Sequence, residues 1–242
     1  MKQLLLNYLY NVGQEAGKKR ETNLLSLVEW KPGAVYLDCG PADGELTIKV
    51  AKKIGTNNIY GIDRDSLYVI KAKKKGIEVK RGDLNKRFPF KDQMFDVITG
   101  IEVIEHLYDT DIFLREIYRV LKRDGYAIIG TENLASWHNI VALTLGQQPS
   151  TGPHISDYYP VGFHPLCQKQ TRGVKKGKKW NTDKHINVAT RKALLKLFNY
   201  HGFKIDAEKP SGFYPFGGML SDILAQLDRS HALTILVKLR KR

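Results

Sequence analysis

Glu102, Glu105 and His106 stand at i, i+3 and i+4, which on a helix puts two carboxylates and an imidazole on one face. Imidazole titrates near neutrality, so His106 is the first candidate for a general base, with Glu102 beside it. Upstream, Asp38-Cys39-Gly40-Pro41-Ala42-Asp43-Gly44 has the composition of a glycine loop that opens a helix, where backbone N–H groups come close to a ligand. Asp63 follows about 20 residues on, the separation at which a carboxylate can take both hydroxyls of a ribose. Gly82-Asp83-Leu84-Asn85 adds a turn that can offer a carboxylate and a backbone N–H to an adenine edge. The plainer role for Asp63 and Asp83 is to cap the helices that follow them.

Such groups act together only if the chain brings them to one place, and the hydrophobic pattern supplies the means. Residues 1–30 read as helical up to Pro32-Gly33. Strands are expected at 34–38, 58–63, 77–81, 95–99 and 126–130, with helices at about 44–54, 66–74 and 112–121 between them. The last of these is expected to end in a basic turn, Lys122-Arg123-Asp124-Gly125, closed by its glycine. Strands alternating with helices of this length predict an α/β fold with a doubly wound, largely parallel sheet. Asp38, Asp63 and Asp83 then all fall at carboxyl ends of strands, where open α/β sheets bind ligands.

The pattern lapses over 132–187, an inserted region of the length usually associated with a lid or binding loop, and again over 208–230. It returns in a helix at 190–200 and strands at 203–207 and 233–239. Trp137, Tyr158, Tyr159, Phe163 and Trp180, interleaved with His138, His154 and His164, could roof an acceptor pocket or form the small core of such a cap.

With 242 residues, 42% hydrophobic and 26% charged, the chain is an ordinary globular one, and wholesale disorder is excluded. No apolar run reaches the ~18 residues of a membrane helix, and the apolar start at Leu4-Leu5-Leu6 stops too soon for a secretion signal. A soluble, cytoplasmic protein is expected. Two cysteines, Cys39 in the glycine loop and Cys167 in a polar stretch, are too few for a disulfide framework or a zinc cluster. The net charge of +14 implies affinity for something anionic, and the run at 169–179 could track a phosphate backbone or anionic surface, or be a solvated loop.

Together Leu37–Gly44, Gly61-Ile62-Asp63, Gly82-Asp83-Leu84, the block from Phe95 to Leu107, Arg119–Tyr126 and Gly202-Phe203 resemble the class I S-adenosylmethionine-dependent methyltransferases, and most closely the ubiquinone-pathway O-methyltransferases. The resemblance implies one methyltransferase domain over 1–242, a seven-stranded sheet whose last strand is antiparallel, and S-adenosyl-L-methionine as cofactor. It implies cofactor contacts at Asp38, Gly40, Ala42, Gly44, Asp63, Arg64, Asp83, Leu84, Gly100 and Ile101. Asp38 and the glycine loop would hold the methionine end, Asp63 the ribose, and Asp83 with Leu84 the adenine. Ala42 stands where many relatives have glycine, so the loop is expected to keep φ negative there. A dinucleotide fingerprint, G-x-G-x-x-G, is not met by the spacing of Gly40, Ala42 and Gly44.

The block Glu102, Glu105, His106 with a distant His185 also resembles the metal site of small-RNA terminal 2′-O-methyltransferases, where carboxylates and imidazoles hold a divalent ion. Thr99-Gly100-Ile101-Glu102 replaces the Asn/Asp-Pro-Pro-aromatic turn of base-amino methylation, and no cysteine nucleophile is present there. Oxygen of a small or lipid-like acceptor is the expected target. The alternatives are RNA ribose and a cofactor-binding subunit without catalysis.

Overall fold

The computed structural model describes residues 2–156, 158 and 184–242. A long first helix, α1 (Lys2–Leu27), leads into β1 (Tyr36–Cys39), α2 (Glu45–Ile54), β2 (Ile59–Asp63), α3 (Ser66–Lys73), β3 (Glu78–Arg81) and β4 (Phe95–Ile101). A single 3-10 turn at Ile104–His106 precedes α4 (Thr110–Val120) and β5 (Leu121–Glu132). Then come α5 (Trp137–Thr144), α6 (Arg191–Tyr200), β6 (Phe203–Ser211), α7 (Gly218–Leu227) and β7 (Thr234–Lys241).

The strands form one seven-stranded sheet in the order β3-β2-β1-β4-β5-β7-β6. β1 to β5 pair in parallel, and β7 runs antiparallel to both β5 and β6, the arrangement expected from the sequence. The order reverses between β1 and β4, which opens a crevice at the carboxyl edge.

Each face of the sheet has its own core. On one, Leu24, Leu27 and Val28 of α1 and its end, Val50 and Ile54 of α2 and Val69 of α3 cover Tyr36, Val97 and Ile128. On the other, Phe113, Leu114 and Ile117 of α4 and Leu194 and Phe198 of α6 cover Leu37, Ile98 and Ile129. Each such side chain taken fully out of water contributes about 1.5–3 kcal/mol, and together they fix the strand ends that carry the polar residues.

The end of α4 differs from expectation. The helix stops at Val120, and Leu121–Glu132 is already strand, so the segment Lys122–Gly125 is not its final turn. Its last carbonyls are satisfied from outside: Gln93 N donates to Arg119 O at 3.0 Å and Met94 N to Val120 O at 2.8 Å. No glycine cap is needed. Gly125 is instead demanded by close approach, since a Cβ there would lie 2.8 Å from the Asp96 carbonyl oxygen.

The region over 132–187 contributes α5, while Cys167, Trp180 and the basic run 169–179 lie outside the described residues. No described helix is long and apolar enough to cross a membrane.

Candidate active site

β1 delivers the chain into a loop built on alternating left-handed residues: Gly40 at φ +75°, Ala42 at +47° and Gly44 at +83°. The expectation of negative φ at Ala42 is therefore wrong. The loop turns back so that Ala42 N donates to Asp63 Oδ2 at 3.3 Å, a geometry that an alanine adopts only under strain. Gly44, at φ +83°, is strained by any side chain, and a Cβ there would also have to push aside Ile77 Cδ1 at 2.7 Å. Cys39 behind the loop is fully buried, and burial pushes its thiol pKa well up, so it is a packing residue.

Beneath the loop, Asp38 accepts from Thr47 Oγ1 at 2.6 Å and Thr99 Oγ1 at 2.7 Å. Burial raises its pKa to about 6 against the lowering effect of those two bonds. It braces the loop from below and does not line the cleft. Asp63, at the end of β2, accepts from both Ala42 N and Asp65 N, tying the glycine loop to the second strand. It is not a helix cap; that place belongs to Asp65, which accepts from Leu67 N at 2.7 Å and Tyr68 N at 3.3 Å.

Past β3, Asp83 takes both Asn85 N and Asn85 Nδ2 on Oδ1, which leaves Oδ2 without a hydrogen bond among the described residues. Partial burial raises its pKa, but the Asn85 bonds and the charges of Lys86 and Arg64 outweigh it, and the carboxyl lies below its ordinary value. Asn85 in turn accepts Tyr108 N and Asp109 N on Oδ1, fastening this turn to the segment after β4.

A cleft of about 480 Å³ runs across these strand ends, a size suited to a small organic ligand. Gly40, Ala42, Asp63, Arg64, Asp83 and Leu84 line it, as do Glu102 and His106. Gly44, Gly100 and Ile101 do not, and neither does Asp38. Gly100 lies within β4, where a Cβ would press on Phe113 and Ile129.

The segment after β4 also departs from expectation. Glu102 sits at φ +55° ahead of the 3-10 turn, so the three residues do not share a helical face. Glu102 is paired with α1, while Glu105 and His106 keep ligand atoms close together. Glu102 Oε1 meets Arg20 Nη1 of α1 at 2.9 Å. Glu105 is fully buried, accepts from Thr131 Oγ1 at 2.9 Å on Oε2, and has no hydrogen-bond partner for Oε1 among the described residues. Burial, then the neighbouring Glu102 and Glu132 charges, drive its pKa well up. Glu132, ending β5, is pushed up to about 8 by desolvation and by Glu102.

The segment at 185–187 is stitched onto this turn, with Ile186 N and Asn187 N both donating to the Glu105 carbonyl. His185 thereby lies against His106, ring centroids 4.9 Å apart, and stacks on His154 at 4.4 Å. His106 Nδ1 faces the Lys184 carbonyl at 3.0 Å and His185 Nδ1 the Thr151 carbonyl at 3.2 Å. Since a carbonyl only accepts, both Nδ1 atoms donate, which in a neutral ring leaves the lone pair on Nε2. Burial, aided by His154 and His106, lowers His185 to about 4, so it is neutral at physiological pH.

Ligand atoms of Glu105, His106 and His185 lie within 4.8 Å of one another. An orphaned buried carboxylate oxygen with two imidazoles oriented through Nδ1 is a donor set that fits a divalent first-row ion. Of the four residues expected, Glu102 is not in this group.

Arg20, Asn85 and Glu132 were not singled out from sequence. Glu132 ends a parallel strand, the same criterion that selects Asp63. Arg20 sits in an ordinary basic stretch of α1 and carries no local signal.

A methyltransferase-domain family model matches residues 37–129. The demethylmenaquinone methyltransferase of Staphylococcus saprophyticus is 31% identical over 184 residues, covering 72% of this chain and 71% of the relative. The mitochondrial ubiquinone biosynthesis O-methyltransferase of Saccharomyces cerevisiae is 28% identical, covering 65% and 49% respectively. An S-adenosylmethionine-dependent methyltransferase from Mesorhizobium loti has the same fold, with a TM-score of 0.58 at 18% identity over 90% of this chain and 96% of that one. The chain belongs to the class I S-adenosylmethionine-dependent methyltransferases. It spans about half the length of several curated relatives it matches, including a demethylmenaquinone methyltransferase of Lactobacillus johnsonii.

Proposed function

We infer that the chain transfers a methyl group from S-adenosyl-L-methionine to an oxygen of a small or lipid-like acceptor. The observation that carries this is His106, which lines the cleft beside Glu102 while its Nδ1 is held by the Lys184 carbonyl, leaving Nε2 to accept a proton. When bound, the cofactor supplies a methyl on a cationic sulfur. The glycine loop, Asp63 and Asp83 with Leu84 would hold it at the strand ends, a positioning role worth roughly 7–11 kcal/mol of barrier in favourable cases. His106 would take the hydroxyl proton as the acceptor oxygen becomes nucleophilic.

Glu105, His106 and His185 could instead hold a divalent ion, which would orient vicinal oxygens and lower their pKa. That favours an acceptor with adjacent oxygens, such as a catechol, and is the one feature that also supports a terminal ribose of RNA.

The test is transfer of labelled methyl from S-adenosyl-L-methionine to a panel of phenols, catechols and short RNAs, with His106→Ala alongside. Turnover on phenols or catechols, falling at least about 100-fold in the variant, supports the assignment. Turnover on RNA alone would replace the small acceptor by a ribose, and full activity in His106→Ala would remove the base.

A further inference from the structure

We propose that the β3 edge of the sheet is a binding surface for the sugar–phosphate backbone of an RNA strand. Between residues 71 and 92 the chain carries nine Lys and Arg against three Asp and Glu, so this short stretch holds a net +6 of the chain's +14. All nine basic side chains are exposed. The dipole at the end of α3 favours cations there and accounts for Lys71 and Lys73. It does not account for Lys80, Arg81, Lys86, Arg87 and Lys91, which lie on β3 and on the connection to β4.

The acids of the region do not offset this excess. Of the three within the stretch, Asp92 is paired with Arg119 and Asp83 is bonded to Asn85, which leaves Glu78. From outside it, Glu45 pairs with Lys75, and Glu116, which also attracts Arg87, is held by Arg119 and Phe88 N. With Glu45, Glu116 and Arg119 counted in, the rim still carries five positive charges in excess, and Asp65, the cap of α3, is matched in sign by Arg64. Lys73, Lys74, Lys86, Arg87 and Lys91 enter no ion pair among the described residues. Cations that repel one another and brace nothing in the fold form a surface that a polyanion neutralises.

Shape selects the polyanion. β3 is the last strand of the sheet, and the basic band turns around it. Val79 faces α3, packing with Val69 and Ala72. Lys80 points to the opposite face, where its Nζ donates to the Pro89 carbonyl at 3.1 Å and stands 4.9 Å from the centre of the Phe90 ring. The cations therefore run from the end of α3 on one face, across β3, to residues 86–91 on the other. A flat bilayer meets only one side of such a rim, and no large apolar side chain is exposed between Lys71 and Gln93 to enter it. A polynucleotide strand, charged at every nucleotide and free to bend, can follow the turn. At the carboxyl end of β3 the band reaches the cleft, which Arg64 and Asp83 line.

The test is fluorescence anisotropy of a labelled ~20-nucleotide oligouridine with the full chain, across about 50 to 200 mM salt and without cofactor or acceptor. The rim variant Lys73→Gln, Lys74→Gln, Lys86→Gln, Arg87→Gln, Lys91→Gln should bind at least about tenfold more weakly at the lower salt, with the slope of log K against log salt reduced by about 3. It should melt as the wild type does. A control that removes as many charges elsewhere, Lys169→Gln, Lys175→Gln, Lys176→Gln, Lys178→Gln, Lys179→Gln, should keep most of the affinity. A wild type that does not bind, a rim variant that binds unchanged, or a control that loses as much as the rim variant would each overturn the proposal. Phosphatidylglycerol vesicles that sediment the wild type but not the rim variant, with no oligouridine bound, would put a membrane in the place of RNA. Methyl transfer to phenols or catechols is untouched by any of these outcomes, so the two readings fail separately.

Discussion

The Arg20 guanidinium of α1 lies 2.9 Å from the Glu102 carboxylate, joining the first helix to the strained residue that follows β4. Glu102, Glu105 and Glu132 crowd one another, and Arg20 is the positive charge set against them. Removing it leaves a carboxylate uncompensated in a half-buried site, so Arg20→Ala should destabilise the fold by about 1–3 kcal/mol at pH 8. Glu102→Gln in the same chain should restore most of that loss. A double-mutant cycle by thermal melting measures the coupling, and strictly additive effects would show that the pair does not interact.

The two acidic residues of the cofactor edge should separate cleanly by assay. Asp63 lines the cleft, whereas Asp38 lies under the loop with both oxygens taken by Thr47 and Thr99. Asp63→Ala should therefore weaken S-adenosylhomocysteine binding at least about tenfold, the worth of one charged hydrogen bond or more. Asp38→Ala should show its main effect in melting, through the two stranded hydroxyls. Calorimetric titration beside a melting curve distinguishes them, and an Asp38 variant that melts normally yet fails to bind would place Asp38 on the ligand after all.

How far these sites could be read from sequence depended on the range of the physics involved. The α/β alternation and the acidic strand ends follow from local periodicity and motif spacing, whereas the antiparallel β7 is what the family resemblance implies, and its pairing with β5 and β6 agrees. The i, i+3, i+4 argument at Glu102, Glu105 and His106 failed because it assumed a helix where the chain makes one 3-10 turn entered from a left-handed residue. Ala42 misled similarly: its φ is imposed by the bond from its N–H to Asp63, a contact 21 residues away. Arg20 matters through tertiary proximity alone, whereas Glu132 carries the strand-end signal that also marks Asp63.

Metal binding at Glu105, His106 and His185 is open to direct measurement. His185 is neutral well above its pKa of about 4, so no proton on its ring competes with a cation at pH 7, whereas the raised pKa of Glu105 means that an ion binding there displaces a proton. Manganese should raise the melting temperature of the wild type, and Glu105→Gln or His185→Ala should abolish the rise. Glu102→Gln should preserve it, because Glu102 stands outside the group. A manganese effect that survives in both ligand variants would dismiss the site.

At the other end of β4 from the cleft, Asp96 ties the connection before β1 to β5 through three groups. Its Oδ1 meets Lys31 Nζ at 2.7 Å, and its Oδ2 meets Lys122 Nζ at 2.7 Å and accepts Val35 N at 2.9 Å. Burial works to raise its pKa, but the lysine bonds and the backbone N–H prevail and hold it at about 2, against 3.8 for the free group. A carboxylate with a depressed folded pKa contributes stability that is complete above the unfolded value and is lost as pH falls through the folded one. The contribution should be about 1–2 kcal/mol once solvent screening at the lysine ends is allowed for. Asp96→Asn should therefore melt below the wild type at pH 7, and the gap should narrow progressively as the pH is lowered from about 4 toward 2. Melting curves across that range decide the matter: a gap that stays constant down to the acid end would mean that Asp96 acts by shape and not by charge.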